Sequence, residues 1–294
     1  MNVPDRRGVD LRKEAAEFLR TRRARITPQR AGLTAWGGAR RVPGLRREEV
    51  ALLAGVSLEY YVRLERGNLA GASEPVLEAV CNALQLDDAE RAHLHDLARS
   101  ASLRPGAGRP TRATVRPPVQ WLLDGMDGTA AYVRNARTDL LAANALGRAL
   151  YAPLFAMPGR PNLARFIFLD PGAAGFFVEW RTVAGEAAAL LRTLAGENPY
   201  DAGLTSLVGE LSTRSELFRS LWATHDVRQH RTGTKRFHHP VVGDLTLAYE
   251  SMELTADSGL RLNAYVAEPG TPSAASLSLL ASWAATPVAA QGKE

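Results

Sequence analysis

Residues 47–66 run REEVALLAGVSLEYYVRLER, and each position suits two short helices crossing at a tight turn. Ala51 is small where the helices cross, and Gly55 stands where the turn demands a positive φ that costs glycine little. Val50, Ala54, Val56, Tyr61 and Leu64 recur at the spacing of an inward face. Ser57 is placed to cap the second helix with its hydroxyl. Outward on that helix fall Glu59, Tyr60, Arg63 and Arg66, spaced to enter a major groove together. In such a groove Ser57 or Glu59 meets base edges and Arg63 pairs with guanine O6 and N7, while Arg40, Arg41, Arg46 and Arg47 hold phosphates. The competing reading, a helical hairpin with a solvated charged face, does not account for the whole combination.

Helical spacing extends to both sides of this core. Residues 9–26 set Val9, Ala15, Ala16, Phe18, Leu19 and Ile26 among charges before Thr27-Pro28 breaks the pattern, and a Gly-rich basic connector, GLTAWGGARRVPG, covers residues 32–44. The later helices are expected at about 46–53, 57–66, 74–85 and 88–100, with Ser57, Ser73 and Asp87 as N-caps. SLRPGAGRPTRATVRPP, residues 102–118, is a Pro/Gly-rich linker. Charge follows the same division: residues 1–116 carry 21 Lys+Arg against 14 Asp+Glu, residues 117–294 carry 15 against 17, and residues 1–47 alone carry 13 against 4. The excess can face phosphates. Only three of the 36 basic residues are lysine (Lys13, Lys235, Lys293), so arginine abundance proves nothing by itself.

The whole chain has 294 residues, 46% of them hydrophobic and 23% charged, which suits two globular domains and excludes wholesale disorder. Its one cysteine, Cys81, rules out an intramolecular disulfide and fits a reducing compartment; in VLEAVCNALQL it reads as a packed core residue. No stretch resembles a signal peptide or a membrane span, so the expectation is a cytoplasmic protein. The motifs G-x-S-x-G, G-x-x-x-x-G-K-[ST] and G-x-G-x-x-G are absent, and no enzyme activity or cofactor is expected.

Residues 119–272 mix periods. Residues 130–143 suit a hairpin, residues 144–222 several helices broken by prolines, and 225–232, 234–242, 244–254 and 260–268 suit strands. The sum is one antiparallel sheet with helices on one side, followed by a tail at 273–294. Trp121, Tyr132, Phe166, Phe168, Phe176, Phe177, Trp180, Phe218, Leu221, Trp222 and Tyr249 are enough to line an apolar cavity, although any such domain needs a core of aromatics. Arg181, His225, Arg228, His238 and His239 lie in or beside these stretches as donors for an acidic headgroup. Four of the six histidines fall between residues 225 and 239, yet no helical pair or nearby cysteine accompanies them, and the adjacent His238 and His239 point to opposite faces of a strand. No metal site is expected there, and His239-Pro240 marks a strand end.

Residues 45–66 with the helices that follow resemble the XRE (Cro/cI-like) helix-turn-helix family of bacterial repressors over about residues 10–100. That resemblance implies a five-helix domain at residues 1–101 that binds double-stranded DNA as a homodimer on a two-fold operator. The stretches RRVPGLRREEVALLAGVS, LFRSLWATHDV, HHPVVGDLTLAYESMEL and NAYVAEPGTPS resemble actinobacterial regulators with an MmyB-like ligand-binding domain. This second resemblance implies a PAS-like α+β domain that holds a small apolar ligand, a fatty acid being the class considered. The expected chain is thus multidomain, an all-α helix-turn-helix domain followed by an α+β PAS-like one, acting as a ligand-responsive repressor that engages no membrane. Two alternatives stay open: a constitutive DNA-binding protein whose second domain only dimerises, and a cofactor-binding redox sensor.

Overall fold

The computed structural model describes residues 10–33, 44–102, 114–227 and 232–285. Arg40, Arg41 and Arg228, most of the linker and residues 286–294 lie outside the described residues. The chain forms two compact units: Met1–Arg109 with Ala188–Gly209 and Arg219–Gln229, and Pro110–Ala187 with Glu210–Phe218 and His230–Glu294.

The first unit contains α1 (Leu11–Arg25), α2 (Arg47–Leu53), α3 (Leu58–Glu65), α4 (Glu74–Ala83) and α5 (Asp88–Ser102). Their starts follow local chemistry. Asp10 Oδ1 accepts from the Lys13 amide at 3.2 Å, Ser57 Oγ from Tyr60 at 3.1 Å, and Asp87 Oδ1 from Glu90 at 2.8 Å. Glu90 returns the bond to the Asp87 amide at 3.2 Å, closing a capping box, whereas Ser73 starts α4 with no side-chain bond to the helix. Between α2 and α3, Gly55 takes φ +64°, the left-handed turn its position calls for. Phe18, Leu19, Leu45, Val50, Tyr61 and Leu94 are fully enclosed in one core with Ala51, Ala54 and Leu64, and Val56 packs against it.

Three helices contribute to both units: α11 (Trp180–Glu197), α12 (Ala202–Arg214) and α13 (Glu216–Ala223). Residues 225–227, expected to begin a strand, do not form one. His225 instead adopts φ +54°, and Val227 is buried in the helical core. A short β-branched run looks the same in a strand and in a buried loop, and helical packing decided this one.

The second unit holds α6 (Pro117–Asp124), β1 (Ala130–Arg134), β2 (Leu140–Ala143), α7 (Ala145–Leu150), α8 (Ala152–Phe155), α9 (Leu163–Leu169), α10 (Ala173–Phe176), β3 (Thr232–His239), β4 (Gly243–Glu253), β5 (Arg261–Val266) and α14 (Pro272–Ala285). The five strands form one antiparallel sheet in the order β2-β1-β5-β4-β3, the α+β, PAS-like arrangement expected. Helices cover both faces, however, not one. Val119 and Leu123 of α6 pack on Ala131, Val133 and Leu262, while rings from the α7–α10 segment pack on Tyr132, Phe237 and Tyr265 of the opposite face. Every residue of β1 is buried, as a strand covered on both sides requires.

Candidate functional sites

On α3, Glu59, Arg63 and Arg66 are exposed and Tyr60 is half-buried. Arg63 leans over Tyr60, its guanidinium carbon 5.8 Å from the ring centroid, and donates to the Ala70 carbonyl at 3.3 Å. These contacts hold a long side chain on the surface without burying its charge. Glu65, on the inward side, is 5% exposed and takes Arg23 Nε at 2.5 Å together with Arg47 Nε. Arg47, named from the sequence as a phosphate ligand, therefore also has an internal partner. Burial, with Glu65 alongside, pushes the Tyr61 hydroxyl far above its ordinary pKa, so it stays protonated and points to Glu65 at 3.5 Å. Arg46 caps α2 through its backbone and keeps its side chain 37% exposed, 3.6 Å from Glu48.

A second set of charges is buried in this unit. Glu14 of α1 pairs with Arg192 and lies 3.4 Å from His225 Nδ1 and 3.9 Å from His93 Nε2. Burial alone would raise its pKa, but His225, His93 and Arg192 together hold the carboxylate well below the usual range. Arg192 is 1% exposed, stacks on Trp222 at 4.1 Å and donates to the Trp222 carbonyl. Trp222 and His225, expected near a ligand, thus join a salt-bridged cluster with α1. Sequence reading missed it because Glu14 and Arg192 are 178 residues apart.

The other candidates fall in the second unit. Tyr132, Phe177 and Tyr249 join a connected layer of rings on one sheet face: Tyr132 meets Tyr151 at 5.5 Å, Phe177 meets Phe237 at 5.7 Å and Tyr249 meets Tyr265 at 5.7 Å. Tyr151, Phe237 and Tyr265 were not singled out in the sequence, although the last two fall on the buried side of their strands at period two. Inside the layer the Tyr151 hydroxyl donates to that of Tyr265 at 2.9 Å, and burial raises the pKa of both. Phe168 packs on Phe218 at 4.9 Å. Trp180 donates to the Ile167 carbonyl at 2.9 Å. Trp121 is 69% exposed and Arg181 is exposed, so neither joins the layer. His238 faces solvent beside Asp244. His239 is buried, donates from Nε2 to the Ala149 carbonyl at 3.0 Å and accepts the Val241 amide at 3.2 Å on Nδ1. Burial lowers its pKa, which keeps that neutral tautomer in place at the end of β3.

Among the described residues, Glu78, Cys81 and His95 place possible metal-ligand atoms within 4.8 Å of one another. Arg91 holds one oxygen of Glu78, His95 Nε2 lies 2.6 Å from the other, and burial pushes the Cys81 thiol up to about 11. The three groups are thus already arranged as a paired carboxylate, a bonded imidazole and a protonated thiol.

The model of the MmyB-like transcription regulator ligand binding domain matches residues 115–280, more than half of the chain. The chain belongs to this family. A model described as a helix-turn-helix domain matches residues 14–94 of this MmyB-like regulator, the segment that holds most of α1, all of α2 to α4 and α5 up to Leu94. Comparison with curated proteins finds no match. The MmyB-like regulator is therefore a DNA-binding transcription regulator with a ligand-binding domain. Among its described residues no helix is long and apolar enough to cross a membrane.

Proposed function

We propose that this regulator represses transcription in the cytoplasm as a homodimer on a two-fold operator, and that a small apolar ligand of the fatty-acid class releases it. On the DNA side, the exposed row Glu59, Arg63 and Arg66, opened by the Ser57 cap, supports α3 as the reading helix. Arg46 supplies a phosphate contact, and Arg40 and Arg41 join it. The observation that carries the ligand side is the layer of rings on one face of the sheet within the family's ligand-binding domain. Such a layer suits an apolar body and gives no grip to a sugar or a phosphate.

Release is a population shift. Ligand binding favours the dimer state whose two reading helices no longer match half-sites about 34–36 Å apart. Moving that equilibrium from 1:99 to 99:1 takes about 5.5 kcal/mol of differential affinity.

Native mass spectrometry of the full-length protein, before and after solvent extraction, tests the reading without choosing a ligand in advance. A stoichiometric small molecule that leaves on extraction supports it. A bare dimer, with no added lipid retained, supports the second reading, a domain that only dimerises, for which the Tyr151–Tyr265 bond inside a closed layer speaks.

A further inference from the structure

The surface of α3 is not polar all round. Side chains four apart share one face of a helix, and beside the exposed row Glu59, Arg63 and Arg66 runs a second one, Leu58 and Val62. Val62 is half-buried, whereas Leu58 is 45% exposed. Leu58 opens α3 directly after the Ser57 cap, in the turn that a reading helix brings nearest to the bases. Neither capping nor the core accounts for it. The bond from the Tyr60 amide to Ser57 Oγ, 3.1 Å long, starts the helix, and Tyr61 and Leu64, at 0% and 1% exposure, close the core beneath it. Three of the eleven large apolar side chains exposed among the described residues, Leu52, Leu53 and Leu58, fall within seven residues around the Gly55 turn. Of these, Leu58 alone belongs to α3.

An aliphatic side chain in a major groove has little to read. The base edges there present hydrogen-bond donors and acceptors, and their one large apolar feature is the C5 methyl group of thymine. The neighbours of Leu58 divide the polar work. Glu59 only accepts hydrogen bonds and is repelled by phosphate, so it suits the amino group of cytosine or adenine, while Arg63 suits guanine O6 and N7. Neither of them detects a methyl group.

We propose that Leu58 reads a thymine in each half-site by burying its C5 methyl group, beside the base pair that Glu59 contacts. The assignment rests on α3 being the reading helix and adds to it a residue that hydrogen-bonding logic passes over. Leu58 thereby selects thymine over cytosine, because both pyrimidines put C5 in the major groove and only thymine carries a methyl group on it.

Deoxyuridine lacks that methyl group and is otherwise thymidine, so it tests the contact without disturbing base pairing. An operator enriched from random duplex DNA by the full-length protein is remade with each thymine position in turn replaced by deoxyuridine in both half-sites. Fluorescence anisotropy at one salt concentration then gives the affinities. At one thymine of each half-site the wild type is expected to lose about fourfold per methyl group removed, the worth of one buried carbon group. Leu58→Gln, similar in length and polar, should bind the thymine operator more weakly and lose nothing further with deoxyuridine at that position. Leu58→Met, apolar and flexible, should keep the loss. Leu58→Ala repeats the comparison if Leu58→Gln fails to fold. An operator in which no thymine responds to deoxyuridine, or a response that Leu58→Gln and Leu58→Ala keep in full, overturns the assignment and leaves α3 as the reading helix. Failure of the wild type to enrich any sequence overturns both.

Discussion

Arg192 and Glu14 are both enclosed, so each depends on the other for its charge balance. Truncating one partner of a buried pair strands the other, and Arg192→Ala is expected to cost about 3–5 kcal/mol in urea unfolding, whereas the double change Glu14→Leu with Arg192→Leu should cost far less. A double variant as unstable as the single would show that Arg192 acts by packing on Trp222. His93, fully buried against Phe18, has its pKa lowered by burial. The unfolded chain then binds the proton first, so the contribution of neutral His93 is present above about pH 6.5 and lost as pH falls below it. Lys235 works in a higher window. Its folded pKa, drawn down by burial to about 8, lies below the ordinary lysine value of 10.5, the unfolded state holds more protons between them, and stability should rise with pH across that window. Melting curves of Lys235→Met should be flat there and, without ligand, higher than wild type at neutral pH.

At the scale of the elements, the helix-turn-helix was legible because its rules are local. Ser57, Asp87 and Gly55 do in the structure what their residue types favour anywhere, and the expected helices at 46–53, 57–66 and 74–85 lie within two residues of α2, α3 and α4. Gly55→Ala should cost about 1 kcal/mol or more, since it forces a β-carbon into a left-handed turn, and Ser57→Ala about 1 kcal/mol for the lost cap; thermal unfolding measures both. Arg63→Ala is expected to cost about 1–3 kcal/mol at one base position, and Arg46→Ala to weaken all DNA alike and lower the salt slope by about one. Uniform loss over all sequences for Arg63→Ala would make it a phosphate contact instead. What sequence could not give was long-range. Residues 225–232 suit a strand by residue type and flanking turn formers, and only the burial of Val227 in the helical core shows otherwise for 225–227. The sheet's second covered face follows from how α6 packs on paired strands, which composition does not carry.

For the whole molecule, the basic excess of residues 1–47 and the acidic balance after residue 116 agree with a division of labour between DNA and ligand. A two-fold dimer doubles the reading surface and makes half-site spacing a geometric quantity, so any ligand that alters the dimer alters the fit. In vitro selection from random duplex DNA by the purified full-length protein, followed by footprinting, tests this most directly. The expected result is a two-fold symmetric sequence with half-site centres one helical turn apart, about 10–10.5 base pairs or a multiple, and for Arg63→Ala protein the same sequence with the preference at one position of each half-site lost. Failure of the wild type to enrich any sequence, or protection of an asymmetric site by a single protomer, would contradict it.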